Sequence, residues 1–178
     1  MRSNPVSTVV GVDEVQGAVR SIVTLADPDY VDVFTLSTPL AEERPAEEWA
    51  RAVLERSALA RRNARRLWRL MGLRLGPRSS PDHVQGWKIS GRSADWLRVE
   101  TASWYMSAQA VFLVEPGQVS ISLSLRYDNL VARLVWGVVS GPHQRAVPVM
   151  LRQSVGVLDP IEAKEMSSSE SGVLGRNT

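Results

Sequence analysis

The chain contains no cysteine, which excludes a disulfide framework, a thiolate zinc site, an iron–sulfur cluster and a cysteine nucleophile together. Histidine is nearly missing as well. His83 and His143 are the only two, too few for a histidine-rich site, and no metal is expected. Lysine is confined to Lys88 and Lys164, so the rest of the 21 basic residues are arginines. Against 19 acidic residues the formal charge is +2, a field too weak to imply nucleic acid as a partner. No apolar run reaches the ~20 residues of a membrane span, and the opening MRSNPVSTVV lacks the charged-then-apolar order of a secretion signal. A Gly-rich phosphate loop, a G-x-S-x-G elbow and a two-histidine metal motif are also missing, and no cofactor is expected. Arginine dominance fits a GC-rich bacterial coding sequence. The expected location is cytoplasmic.

What is present suits one domain: 178 residues, 44% hydrophobic and 22% charged. Residues 1–28, with Pro5, two glycines and Asp27-Pro28-Asp29, read as a flexible arm holding at most a short strand at Val6–Val10. Residues 29–158 form the domain. Residues 159–178, with Asp159-Pro160, Ser167-Ser168-Ser169 and too little apolar content to pack, read as a disordered tail.

Within the domain, Tyr30-Val31-Asp32-Val33-Phe34-Thr35-Leu36 is rich in β-branched and aromatic residues and predicts a strand. Pro45 followed by Glu47 and Glu48 starts a helix over 45–56, which buries Trp49, Ala50, Val53 and Leu54. Ser57 either caps a second helix or interrupts one long helix that stops near Met71-Gly72. From His83 the period becomes that of strands, with candidates at 85–90, 95–104, 108–114 and 119–127 joined by short antiparallel connections. In the last, Val119, Ile121, Leu123, Leu125 and Tyr127 face a core, while Ser120, Ser122, Ser124 and Arg126 form a polar face. Residues 130–139 predict an apolar helix. Gly141-Pro142 breaks or kinks it, and 143–155 continue with Pro148 as a bend.

Strand, helices, antiparallel strands and a long terminal helix make an α+β domain, a curved antiparallel sheet packed around the C-terminal helix. The stretch Val84-Gln85-Gly86-Trp87-Lys88-Ile89, the strand end Ala102-Ser103-Trp104, the triplet Arg126-Tyr127-Asp128, and Leu134-Val135-Trp136 with Gly141-Pro142-His143 resemble a bacterial, actinobacterial-type family of small proteins. Its members occur alone or fused behind Rossmann NAD-binding domains. The family is similar to the START-like helix-grip superfamily of lipid-transfer proteins and polyketide cyclases. The resemblance covers roughly residues 29–155 and implies a helix-grip fold. It carries no catalytic residues with it, because its motifs are aromatic and turn positions.

Several residues bear on function. His143, after the Gly-Pro pair, is a candidate general base with an unperturbed pKa near 6.5, and Asp128 or Tyr127 would orient it. The alternative is a helix-starting histidine bound to a backbone carbonyl. Six tryptophans against two phenylalanines suit a flat or greasy ligand as well as a core. Trp87, Trp104, Tyr105, Arg126 and Trp136 are the candidate ligand contacts. Arg126 and Asp128 share a strand face, as a pocket-rim pair or a local ion pair. Arg98 and Glu100 lie on a face that leans polar and is expected in solvent. Arg61, Arg62, Arg65, Arg66 and Arg69 fall within an arc of about 140° on a helix, as an anion-binding face or a solvated one.

Three functions follow. The first is a binding module for a small hydrophobic or aromatic ligand in a sheet–helix cavity. The second is a cyclase- or dehydratase-like enzyme using His143 with Tyr127, Tyr105 or Asp128. The third is a non-enzymatic interaction protein that docks onto a partner or an anionic membrane surface through its arginine face or the apolar helix 130–139. Oligomeric state has no signature in the sequence.

Overall fold

A computed structural model describes residues 5–12 and 17–159. Period-two alternation generates eight strands: β1 (Val6–Val10), β2 (Tyr30–Ser37), β3 (Ser79–Ser80), β4 (His83–Val84), β5 (Trp87–Arg92), β6 (Trp96–Ala102), β7 (Met106–Glu115) and β8 (Gln118–Tyr127). They form one curved antiparallel sheet in the order β1-β2-β8-β7-β6-β5-β4-β3. The two-residue turn Pro116-Gly117 closes the β7–β8 hairpin, with Gly117 at φ 73°, a backbone state that suits glycine. Register along this centre pairs Phe34 with Ile121 and Ile121 with Phe112. These three large side chains are buried together on one face, and that face is the core.

Among the described residues the α-helices are α1 (Ala18–Ile22), α2 (Ala46–Arg51), α3 (Arg65–Leu70) and α4 (Leu130–Leu158). The stretch predicted at 45–56 begins as expected after Pro45, but α2 runs on into a widened π-helical segment, Ala52–Arg56. Ser57 settles its own alternatives. Its hydroxyl donates to the Val53 carbonyl at 2.7 Å and accepts from the Ala60 N–H at 3.3 Å. It thus ends one helical piece and caps the next. That next piece passes through a second π-helical segment, Ala60–Ala64, before α3.

The long C-terminal helix crosses the core face over β2 and β8 and packs on Ala52–Arg56. Asn129 caps it, its side chain accepting from the Val131 N–H at 3.0 Å. Of the break or kink expected at Gly141-Pro142, the break does not occur, and α4 continues through both Pro142 and Pro148. Proline frees the carbonyl four residues earlier. For Pro142 that carbonyl belongs to Val138, and both residues lie on the exposed side of the helix, where solvent satisfies it. Trp136 before the proline and Val147 and Leu151 after it are all buried, so both halves pack on the core. Among the described residues, no helix is long and apolar enough to cross a membrane.

The opposite face of the sheet differs from the expectation of a solvated polar surface. Ser120, Ser122 and Ser124 are buried. The N-terminal segment first extends the sheet, β1 pairing with β2 along all five residues, and then covers this side, Val19 of α1 packing on Val31 and Leu113. Gln109 accepts from the Thr24 and Leu25 N–H groups at 2.8 and 3.2 Å, and Arg98 donates to the Ile22 carbonyl at 2.9 Å. The serines keep this face shallow enough for a chain segment to lie on it. The tail expected to be disordered falls, beyond Asp159, outside the described residues.

Leu151, with no exposed surface, locks α4 to the core. Replacing it with alanine is expected to cost ~2–5 kcal/mol in urea denaturation. Leu134→Ala, on the same helix at 73% exposure, should stay within about 0.5 kcal/mol of the wild type. Equal losses at both positions would mean that α4 is not seated on the sheet as described.

Candidate functional site

Between the core face of the sheet, α4 and the helical pieces lies a cavity of about 460 Å³, in the range of small-ligand sites. Its origin can be read residue by residue. On the core side of β7 the alternating positions are Met106, Ala108, Ala110 and Phe112. Alanine at the two middle positions leaves open the volume that larger side chains would fill. The facing wall carries Val53, Leu54, Leu59 and Ala64, all from or beside the π-helical segments. Such widened turns recur at functional sites. Leu59 and Pro142, both lining the cavity, are also exposed, which places an opening between the residue 58–70 helix and the middle of α4.

One lining side chain is ionisable: His143. Its Nε2 lies 3.0 Å from Oδ2 of Asp32, and its ring packs at an angle against Trp136 and Phe34, with centroids 5.2 and 5.9 Å away. Asp32 has no exposed surface. It stands on β2 opposite Leu123, on the same face as Phe34 and Leu36, so a carboxylate occupies a core position. Tyr30, two residues earlier on that face, donates its hydroxyl proton to the same Oδ2 at 2.7 Å. The Gln144 amide donates to the Tyr30 oxygen at 3.1 Å. Burial pushes the Tyr30 phenol well above its ordinary value; the Gln144 hydrogen bond works against this, and the Asp32 carboxylate adds to it. Tyr30 therefore remains a proton donor. Oδ1 of Asp32 is buried with no hydrogen-bond partner among the described residues, an expensive state for a carboxylate oxygen.

Of the aromatic candidates, Trp87 and Trp136 line the cavity. Their indole N–H groups are buried without an acceptor among the described residues. Trp104 does not line it. It sits in the bend between β6 and β7 at 66% exposure, edge-on to Tyr105, because the short connection turns it away from both faces. Tyr105 is buried, but its hydroxyl donates to the Met71 carbonyl at 2.6 Å and pins the end of α3. Arg126 and Asp128 form a partly exposed pair at 3.3 Å, clear of the cavity lining. Tyr127 likewise lies outside that lining. Burial pushes its phenol up to about 12, Asp29 adding and Arg133 opposing. The group that orients His143 is thus Asp32, and not Asp128 or Tyr127. Tyr127 is the last residue of β8 and Asp128 follows it, while α4 carries His143 back along the sheet to β2.

The five arginines do not act as one face. Arg65 turns inward and donates to the Gln85 and Gly76 carbonyls at 3.0 and 2.8 Å. Burial, with Arg69 and Arg78 nearby, lowers its pKa from the ordinary value. Arg61, Arg62, Arg66 and Arg69 are exposed. His83 stands in β4, paired with Ser80 and Lys88, and its Nδ1 contacts the Ser80 hydroxyl at 3.0 Å.

Sequence reasoning missed Asp32, Tyr30 and Gln144. The signal for Asp32 was present: alternation places it in phase with Phe34 and Leu36, and an acidic residue on an apolar face demands a partner. Gln144 had no comparable signal. Compared with known protein families, curated proteins and solved structures, the chain matches none.

If His143 and Asp32 depend on one another, removing one partner should hurt more than removing both. His143→Leu is expected to destabilise on the order of 3 kcal/mol, because it strands a buried carboxylate. The Asp32→Val/His143→Leu double variant should recover most of that loss in chemical denaturation. Additive losses would mean that the two side chains are independent.

Proposed function

We propose that this protein is a binding module that holds a small hydrophobic or aromatic ligand in the cavity between the sheet and α4. The observation that carries this reading is the cavity itself. It measures about 460 Å³, its lining is apolar but for His143 and the tryptophan N–H groups, and it reaches the surface at Leu59 and Pro142. A ligand entering it exchanges water contact for aliphatic and aromatic walls, at roughly 25 cal/mol per Å² of apolar area removed from water. The architecture, a curved antiparallel sheet with a long C-terminal helix across it, suits the START-like helix-grip kinship implied by the sequence resemblance.

The pairing of His143 with Asp32 favours a second reading, an acid–base enzyme of the cyclase or dehydratase kind. A histidine oriented by a carboxylate and facing an apolar chamber has the arrangement of a general base shielded from water. In a dehydratase, His143 would take the proton from the carbon beside a carbonyl, and a β-hydroxyl would leave with a proton as water. That reading requires a mass loss of water from a β-hydroxy ketone incubated with the protein, abolished by His143→Phe.

The binding reading is tested with 1-aminoanthracene, an apolar fluorescent probe. The wild type should give a saturable fluorescence increase. Ala110→Phe, which fills the cavity from β7, should weaken binding by about tenfold or more. Overpacking costs ~1–3 kcal/mol, so retained circular dichroism is the control for folding. A linear, unsaturable response from the wild type would overturn the proposal.

A further inference from the structure

The cavity's hydrogen-bonding inventory is one-sided. Besides His143, the side chains with nitrogen that line it are Trp68, Trp87 and Trp136, and an indole only donates. Any strong side-chain acceptor must come from His143, and its protonation pattern is set by a chain of contacts behind it. Gln144 donates to the Tyr30 oxygen at 3.1 Å, and Tyr30 uses its own proton on Asp32 at 2.7 Å. An ionised carboxylate only accepts, and with Asp32 in that form the 3.0 Å contact from His143 to the same oxygen takes its proton from Nε2. A neutral imidazole with its proton on Nε2 carries a lone pair on Nδ1, and Nδ1 makes no hydrogen bond among the described residues. Beside it, with ring centroids 5.2 Å apart, is Trp136, whose buried N–H lacks an acceptor.

We infer that Nδ1 of His143 is a fixed hydrogen-bond acceptor for the cavity, and that the ligand is an apolar molecule presenting a hydroxyl group to it, a phenol or an alcohol. This inference rests on the cavity being a ligand site. A hydroxyl suits the surroundings on both counts, because its proton goes to Nδ1 and its oxygen remains free to accept from an indole N–H. An ether or a ketone of the same shape lacks the proton and leaves Nδ1 buried and unpaired, the asymmetry that makes donor-matched sites selective. A carboxylate would bring a second negative charge close to Asp32. Asp32, Tyr30 and Gln144 are positioning residues, since they reach the ligand only through the ring that they hold.

The test uses naphthalene, 2-methoxynaphthalene and 2-naphthol, which share a body and differ in what they offer: nothing, an acceptor, or a donor. Affinities are measured by calorimetry on the wild type and on His143→Phe, and the ring nitrogens of His143 are read by 15N NMR with the variant's spectrum as the assignment. The wild type is expected to bind 2-naphthol about tenfold more tightly than the other two. His143→Phe should bind all three alike, and the NMR should show a proton on Nε2 and a bare Nδ1. Saturable binding of all three with equal affinity, or preference for 2-methoxynaphthalene, would overturn the acceptor inference and leave the cavity as an apolar binding site. A doubly protonated ring would overturn it as well. Failure of all three compounds to bind would overturn the binding reading and this inference with it. Should His143→Phe not fold, the wild-type ranking still decides.

Discussion

A carboxylate on the core face of a sheet is tolerated only when hydrogen bonds replace the water it has lost. Asp32 takes two such bonds on one oxygen, from Tyr30 on its own strand and from His143 on α4. With Gln144 bonding Tyr30, two consecutive residues of the helix reach back to one strand of the sheet. This link fixes both the height and the rotation of α4 at its midpoint, immediately after Pro142. A purely apolar contact there would let the helix slide or roll by small amounts, because hydrophobic packing is not directional. The hydrogen-bonded chain allows one arrangement, and the cavity's walls inherit their spacing from it.

That spacing matters because the sheet and helix do not close on each other. Interiors ordinarily pack to crystal-like density. Here Ala108 and Ala110 withhold volume from the sheet side, and the π-helical segments Ala52–Arg56 and Ala60–Ala64 displace the helical wall. Trp136 and Trp87 then act as rigid panels at the edges of the open space. Collapse is resisted at several points: Arg65 straps the loop at Gly76 and Gln85, Tyr105 holds Met71, and Arg51 ties Glu47 and Glu55 to the Ser80 and His83 carbonyls. The last is a network of half-buried charges, the kind of ion pairing that contributes more than an isolated surface pair.

The parts of the fold legible in the sequence are those where one local signal dominates. Alternation at 119–127 gave β8 its face, and Pro45 with Glu47 and Glu48 gave the start of α2. Two kinds of feature escaped. The first depends on remote covering: Ser120, Ser122 and Ser124 look like a solvated face, and only α1 and the chain after it make them interior. Nothing near the serines encodes that cover. The second depends on competition between local rules and packing. Pro142 should interrupt a helix, yet Trp136, Val147 and Leu151 bury on both sides of it, and tertiary contact overrides propensity. For the site, the tryptophans and His143 were visible as residue types, but not the distances between them. Trp104, which looks like Trp87 and Trp136 in sequence, differs from them only by falling in a bend.

Asp32 shows why the site was harder to read than the fold. In the strand pattern it breaks an otherwise apolar face, and the easy reading assigns such a residue to a local irregularity. Stability alone argues against keeping it, because replacing both partners of a buried hydrogen bond by apolar groups of the same shape can be nearly neutral or stabilising. Its Oδ1, without a partner among the described residues, makes the position costlier still. A group that stability does not explain, joined to the one ionisable side chain in an apolar cavity, belongs with the features that proteins retain for function at the expense of stability. On this argument the cavity and the Asp32–His143 pair are one feature. In the proposed binding module, the alanines of β7 would provide room for the ligand body, and the carboxylate behind the histidine would determine which end of that body points toward α4.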